Sequence, residues 1–176
     1  MTIENIDLTT TNLSMYPQIV DRCQEIINDN LQSNGGTLKV SNIFQRDYNF
    51  TNLIVASFEG KIVGFALVRL SDNQHNLRGK TEYYYLSDIV VDRQYQGHGI
   101  GTALMGETLL RCLNMPLVAS CLNENQASIN MLSKFMTCYG VSDSGKYLRF
   151  VDNQHYNILY GKNVTDSLNT VTSQKI

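Results

Sequence analysis

Apolar residues recur along the chain at two spacings, which predict helices and strands in the same chain. In residues 16–31 they recur every three or four positions, as is typical of a helix with one buried face. Residues 52–58 and 61–69 are strongly apolar runs separated by a Glu-Gly pair, and a glycine-containing turn between two such runs predicts a β-hairpin. Residues 3–8 form a further candidate strand.

The second half of the chain alternates apolar runs with helical patterns. A β-rich run at residues 83–91 leads through a glycine-rich segment into a predicted helix at residues 102–113. A second apolar run, residues 116–121, reads as a buried strand and precedes a helical pattern in residues 123–132. The polar residues 71–80 predict a loop.

The end of the chain predicts a closing hairpin, formed by residues 146–150 and 156–160. Strands followed by helices, opened and closed by antiparallel hairpins, indicate a mixed α/β sheet in a single domain. We place this domain at residues 1–161 and a polar C-terminal tail at residues 162–176. The chain has 176 residues, of which 43% are hydrophobic, and this is enough for one sizeable core.

The glycine-rich segment Gln96-Gly97-His98-Gly99-Ile100-Gly101 joins a strand to a helix. The first backbone N–H groups of a helix have no partner within the helix, so they can bind an anion. Glycine has no Cβ, so its backbone can adopt a positive φ and approach a phosphate closely. The segment therefore predicts a cradle for a phosphate group.

Three known kinds of glycine-rich loop can be compared with this segment. A nucleoside-triphosphate loop needs a lysine before the Ser or Thr that follows its last glycine, and Gly101-Thr102 supplies none. A dinucleotide fingerprint needs a glycine three residues after Gly99, where Thr102 stands. The remaining pattern, Gln96-x-x-Gly99-x-Gly101 after a strand, resembles the pyrophosphate loop of the GNAT superfamily of acyl-CoA-dependent N-acyltransferases.

A second segment carries the same resemblance. Asn125 and Ser128 follow the strand-like run at residues 116–121 and open a helix. They match the family's Asn-x-x-Ala/Ser block in kind, order and separation, and the resemblance covers residues 50–161. It implies a single-domain GNAT fold, in which a mixed central sheet with a splayed strand pair is flanked by helices.

The resemblance also implies acetyl-CoA as the co-substrate. Backbone groups of Ile89, Val90 and Val91 would pair with the pantetheine arm like an added strand. Asn125 and Ser128 would contact the cofactor or hold the adjoining loop. The residues expected to form the pyrophosphate site are those of the glycine loop, namely Gln96, Gly97, His98, Gly99, Ile100, Gly101 and Thr102.

The candidates for a catalytic base lie on the strand before the loop. Many members of the family have an acidic residue at the position of Asp88, and Tyr85 lies nearer to a position where some members have a glutamate. Glu82 is a further carboxylate on this segment. Structural roles for these side chains, and a water chain as the base, are the alternatives. Leu132 stands where many members have a tyrosine that protonates the leaving thiolate.

The implied activity is the transfer of an acetyl group from acetyl-CoA to a primary amine by direct attack in a ternary complex. The acceptor would be a small molecule or a protein or peptide amine, and the sequence does not identify it. Two alternatives stay open at this point. One is a catalytically weak acyl-CoA-binding sensor, which Leu132 favours, and the other is a different phosphate-binding module.

Charge and cysteine content restrict the remaining classes. A formal net charge of −2 provides no general field for nucleic acid, and no apolar run reaches the length of a membrane span. The N-terminus lacks an apolar signal core, so we expect a cytoplasmic protein. The four cysteines lack metal-site or disulfide spacing, which predicts reduced thiols and no metal. Arg69 and Lys80 are candidates for an acceptor site or a homodimer contact, with a solvated surface as the alternative.

Overall fold

The computed structural model describes residues 1–9, 16–33, 50–77 and 80–160. Within these ranges the chain forms seven β-strands and four α-helices. The strands are β1 (Thr2–Asp7), β2 (Phe50–Phe58), β3 (Lys61–Leu77), β4 (Lys80–Val91), β5 (Leu117–Leu122), β6 (Met136–Val141) and β7 (Tyr147–Asp152). The helices are α1 (Pro17–Ser33), α2 (Ile100–Arg111), α3 (Gln126–Leu132) and α4 (Asn153–Tyr160).

The strands form one mixed sheet in the order β1-β2-β3-β4-β5-β7-β6. Strands β4 and β5 are parallel, and the other neighbouring pairs are antiparallel. A parallel pair requires a crossover connection, and helix α2 supplies it between β4 and β5. The single α/β sheet predicted from the sequence is thereby confirmed.

Helices cover both faces of the sheet, and the alternation of side chains along the strands shows which helices share a face. Ile54 of β2 packs in a cluster with residues of α2 and α3. Its neighbours Leu53 and Val55 pack in a different cluster, with Cys23 of α1. Because successive strand residues point to opposite faces, α2 and α3 lie on one face and α1 on the other.

Strands β4 and β5 separate towards their C-terminal ends. They pair only at Tyr84 with Leu117, Tyr85 with Val118 and Leu86 with Ala119. Beyond Leu86, β4 continues to Val91 without a partner in β5. The two strands therefore splay apart as expected. The gap leaves peptide groups of β4 available to a ligand, at the strand ends where open α/β sheets usually bind one.

The prediction of a loop at residues 71–80 is wrong, because most of this segment is β-strand. Strand β3 extends to Leu77 and β4 begins at Lys80, so the two form a long antiparallel ribbon that pairs as far as Leu77 with Lys80. Polar residues can occupy such a ribbon because its backbone groups pair with each other whatever the side chains are. Composition alone therefore underestimated the length of both strands.

The predicted closing hairpin is also wrong. Strand β7 pairs with β6 and β5, and residues 156–160 belong to helix α4. Asp152 accepts a hydrogen bond from the backbone N–H of His155 at 2.9 Å, as a residue capping a helix does. Tyr156 and Tyr160 then stack one turn apart, with ring centroids separated by 4.8 Å.

Other expectations from the sequence can be compared with the described elements. The helices predicted at residues 16–31 and 102–113 are confirmed as α1 and α2, with ends that differ by one or two residues. In the described part of the chain, no helix is long and apolar enough to cross a membrane. The predicted polar tail, residues 162–176, lies outside the described residues.

Candidate active site

The turn that follows β4 prepares the start of α2. A 3-10 turn at Arg93–Tyr95 begins after Asp92, whose side chain accepts a hydrogen bond from the backbone N–H of Gln94 at 3.1 Å. Gly97 and Gly99 then adopt φ angles of 80° and 79°. Such positive values are strained for a residue with a Cβ, so glycine is strongly favoured at both positions.

The start of α2 presents unpaired amides, as the sequence predicts for an anion cradle. The helix begins after Gly99, and its first backbone hydrogen bond runs from the N–H of Ala103 to the Gly99 carbonyl at 3.0 Å. The amides of residues 100–102 thus have no partner within the helix, and no side chain caps them. Gly97, His98 and Gly99 are exposed, so the loop is open to a ligand.

The side chain of Gln96 anchors the loop to the rest of the fold. Its amide nitrogen donates to Asn30 Oδ1 at 2.8 Å and to the Val91 carbonyl at 3.0 Å. Asn30, on α1, also donates to the Val91 carbonyl at 3.1 Å. The ring of His98 folds back on the loop and bonds through Nδ1 to the Gln96 carbonyl at 2.9 Å. These bonds fix the loop relative to the end of β4.

An ion pair also stabilises the junction between β4 and the glycine loop. Arg22 of α1 pairs with Asp92 at the end of β4, and its Nε donates to the Ile62 carbonyl at 3.2 Å. The two side chains are only 18% and 12% exposed, so water screens the pair less than it would at the surface. Arg22 and Asn30 are not recognisable from the sequence, since both lie more than sixty positions before the loop and carry no local motif.

The candidate base residues are brought together by a β-bulge in β4. In the ladder with β3, Leu67 pairs with Asp88 whereas Val68 pairs with Leu86, so Ser87 has no partner. An extra residue shifts the alternation of side chains by one position. Asp88 therefore lies on the same face of the sheet as Tyr85.

That face is the one covered by α1, opposite to α2 and α3. Leu67, the partner of Asp88, packs in the cluster of α1. Arg69 pairs with Tyr85, and its guanidinium carbon lies 4.7 Å from the centroid of the Tyr85 ring. Tyr85 and Asp88 are half-buried, whereas Glu82 is exposed.

The profile of the acetyltransferase (GNAT) family matches residues 20–136 of this sequence, which is more than half of the chain. The chain belongs to the acetyltransferase (GNAT) family. The membership predicted from the two motifs is thus confirmed. A comparison with curated proteins finds no match.

Solved structures with a similar fold include an aminoglycoside acetyltransferase and a complex with acetyl-CoA. Aminoglycoside 6'-acetyltransferase type Ii is 13% identical with a TM-score of 0.63, and 86% of this chain and 96% of that one are covered. NAA60 from Arabidopsis thaliana in complex with acetyl-CoA is 13% identical with a TM-score of 0.61, over 86% and 98%. PH1933 from Pyrococcus horikoshii OT3 is 20% identical with a TM-score of 0.60, over 86% and 98%.

The predicted GNAT fold is confirmed by these neighbours. The predicted use of acetyl-CoA is confirmed at the level of the family, since the NAA60 structure contains acetyl-CoA and an aminoglycoside 6'-N-acetyltransferase was solved with coenzyme A. At these identities the likeness concerns the fold. The acceptor of this GNAT protein must therefore be inferred from its own residues.

The second motif block forms the start of α3. Asn125 caps this helix, and its side-chain oxygen accepts a hydrogen bond from the backbone N–H of Ser128 at 3.1 Å. The backbone N–H of Ser128 is thus used within the protein, while its half-buried side chain makes no hydrogen bond among those described. In the structure, Asn125 therefore orders the segment after β5 by capping α3.

Two further residues of interest are Leu132 of α3 and Ser87 of β4. Leu132, which we expected at the position where many family members have a tyrosine, is only 3% exposed and packs in the core between α3 and the sheet. The hydroxyl of Ser87, at the bulge where β4 leaves β5, is buried and has no hydrogen-bond partner. The position of Ser87 is not recognisable from the sequence, because a bulge depends on strand pairing.

Proposed function

We propose that this protein is an N-acetyltransferase that transfers an acetyl group from acetyl-CoA to a primary amine by direct attack in a ternary complex. The observation that carries the proposal is the set of unpaired amides at the start of α2, next to the gap between β4 and β5. One element can hold a pyrophosphate and the other an extended arm, which together match the shape of an acyl-CoA.

The proposed cofactor site follows the chain from β4 into α2. Backbone groups of Ile89, Val90 and Val91 lie beyond the last pair with β5, where they can bind the pantetheine arm. Amides of the loop and of the first turn of α2 can bind the pyrophosphate, and the helix dipole adds to this attraction. Gln96 holds the loop in place, whereas Asn125 and Ser128 order the opposite side.

The proposed chemistry requires little from the protein beyond placement and proton removal. Acetyl-CoA supplies an activated thioester. Asp88 accepts the proton of the acceptor amine, directly or through one water, and half-buried Tyr85 forms the neighbouring wall. A thiol has a pKa of about 8.5, so the thiolate can leave without a dedicated acid. This accommodates Leu132 at the position where many members have a tyrosine.

A second candidate function is an acyl-CoA-binding sensor with little or no transferase activity. Buried Leu132 is the observation that favours it, because the position offers no proton donor. Both functions use the same cofactor site and differ only in turnover. The cytoplasmic location expected from the N-terminal sequence stays a prediction, as does a homodimer.

Calorimetric titration with acetyl-CoA and with ATP tests the ligand class, and release of coenzyme A with a panel of primary amines tests catalysis. We expect acetyl-CoA to bind, ATP to bind at least tenfold more weakly, and at least one amine to accelerate the release of coenzyme A above slow hydrolysis. Binding without amine-dependent release from any member of the panel would favour the sensor. Tighter binding of ATP would contradict both functions.

A further inference from the structure

Arg149 on β7 faces the α1 and α4 side of the sheet. Arg149 pairs with Ser120 of β5 and with Gly140 of β6. Phe150, the next residue, packs on the face covered by α2 and α3, whereas Val151 packs with Tyr156 of α4. By alternation, Arg149 shares the face of Val151. This is also the face that carries Tyr85 and Asp88.

Arg149 is half-buried, and in the described part of the chain its guanidinium makes no ion pair and no hydrogen bond. Other arginines are paired, for example Arg22 with Asp92 and Arg111 with Glu107. A partly desolvated guanidinium without a carboxylate as ion-pair partner is unfavourable. An anionic ligand would supply the missing partner.

A second polar group without a hydrogen-bond partner, the hydroxyl of Tyr139, lies near Arg149. The hydroxyl of Tyr139 is buried and has no hydrogen-bond partner, while its ring stacks on that of Tyr160 with centroids 5.9 Å apart. Tyr139 directly precedes Gly140, the residue that pairs with Arg149. Burial, together with Tyr160, raises the pKa of Tyr139, and nearby Arg149 acts in the opposite direction. The hydroxyl thus remains a hydrogen-bond donor at neutral pH.

The position of Arg149 and Tyr139 relative to the gap between β4 and β5 indicates what these two side chains could bind. The last pair between β4 and β5 is Leu86 with Ala119, so Ser120 is the first residue of β5 beyond it. Arg149 lies next to Ser120, one strand spacing of about 4.8 Å further from the gap. Asp88 lies across the gap on the same face. A small molecule could contact both sides at once.

We propose that Arg149 and Tyr139 bind a carboxylate of the acceptor, so that the acceptor is a small amine that also carries a carboxylate, such as an amino acid. The guanidinium provides two parallel donors, which match the acceptor oxygens of a carboxylate. The Tyr139 hydroxyl, buried in the ligand-free protein, becomes a third donor when its side chain turns towards the ligand. The amine of the same molecule then lies towards Asp88 and the gap. This inference rests on the proposed function, since it names the acceptor of the same site.

The test compares matched amines that differ only in a carboxylate, such as phenylalanine with phenethylamine and lysine with cadaverine. We expect kcat/KM for release of coenzyme A to be at least tenfold higher for the amino acid in at least one pair. Arg149→Met should remove this preference mainly through KM, and Arg149→Lys should keep part of it. Arg111→Met is the matched control, because Arg111 lies at the C-terminal end of α2, away from the glycine loop, and pairs with Glu107.

Tyr139→Phe separates a ligand contact from a structural role. It removes a hydroxyl that has no partner in the protein, so the thermal stability should stay the same or rise. The KM for the preferred amino acid should nevertheless rise by about threefold to tenfold, while the KM for its decarboxylated partner should not change. Equal effects on both amines would overturn the inference.

A binding measurement makes the inference testable without turnover. The protein saturated with coenzyme A is titrated with N-acetylphenylalanine and with N-phenethylacetamide. Tighter binding of the first, lost in Arg149→Met, supports the carboxylate site. Equal binding of the two amides overturns it. A third titration, with O-phosphoethanolamine, tests for a phosphate site, and tighter binding of this compound than of N-acetylphenylalanine also overturns the inference. If acetyl-CoA itself fails to bind to the wild-type protein, the proposed function fails and the inference fails with it.

Discussion

Asp88 and Tyr85 project from the same face of β4, although an odd number of positions separates them. In a regular strand such a spacing would place them on opposite faces. The bulge at Ser87 reverses the alternation and brings both to the side where α1 lies. The bulge also coincides with the point at which β4 leaves β5, so the same local irregularity opens the gap and aims the carboxylate beside it.

The first prediction concerns Asp88 as the base. Asp88→Asn should lower kcat/KM by about 10²-fold or more and abolish the fall in rate on the acid side of the pH profile, because an amide cannot be protonated there. The pH dependence of kcat/KM measures this. Glu82→Gln is the comparison, since Glu82 is exposed on the same strand. A profile of Asp88→Asn that overlays that of the wild type would show that the carboxylate is structural.

The second prediction concerns the cap of α3. Asn125→Ala removes the acceptor for the Ser128 N–H, so the free energy of unfolding should fall by about 1 kcal/mol. Asn125→Asp keeps an acceptor at this position and should retain most of the stability. Urea denaturation measures the stability, and the KM for acetyl-CoA shows whether loosening this segment also weakens the cofactor. Unchanged stability of Asn125→Ala would contradict the capping role.

A third prediction contrasts two glycines that face very different surroundings. A Cβ at Gly64 would lie 3.0 Å from the Val90 carbonyl oxygen and 3.3 Å from Leu104 of α2. Gly64→Ala should therefore destabilise the protein by about 1–3 kcal/mol through overpacking. Gly106, within α2, has nothing within 4 Å of such a Cβ, so Gly106→Ala should stabilise it by up to about 1 kcal/mol.

Thermal and urea denaturation of the two variants measure these changes. The contrast matters because α2 carries the proposed pyrophosphate site on top of β3. If Gly64→Ala were as stable as the wild type, the Val90 carbonyl and Leu104 would lie further from Gly64 than the structure shows.

The fourth prediction concerns the thiols, all four of which are free. Burial raises the pKa values of Cys23 and Cys112 to about 12, so these thiols stay protonated and unreactive at neutral pH. Cys138 is exposed. An aromatic disulfide reagent should react fast with one thiol of the native protein and with four after unfolding. Cys138→Ser should remove the fast phase. Fewer than four reactive thiols after unfolding would indicate a disulfide.

The sequence predicted the parts of the site that are contiguous in the chain. The loop with Gly97 and Gly99 was recognisable because the required positive φ values follow from residue type and spacing. Contacts made through strand pairing were not recognisable in the same way. The bulge at Ser87, the anchoring of Gln96 by Asn30 and the position of Arg149 all depend on which residues meet in the sheet.

The two errors in secondary structure have a related cause. The aromatic and aliphatic residues at 156–160 favour a strand by type, yet Tyr156 and Tyr160 are spaced for a helix, and the Asp152 cap selects it. Residues 71–77 look like a loop by composition, but pairing with β4 extends the strand. In both places tertiary context outweighed local preference.

The most direct test of the central claim, and the fifth prediction, is calorimetric titration of acetyl-CoA into the wild-type protein and into Gly99→Val. Gly99 has a φ of 79° at the start of α2, so a β-branched residue should distort the amides that hold the pyrophosphate. Gly145→Val is the control, because Gly145 has a similar φ of 71° in the turn between β6 and β7. We predict that acetyl-CoA binds to the wild type and to Gly145→Val, and at least tenfold more weakly to Gly99→Val. An unchanged affinity in folded Gly99→Val would contradict the account.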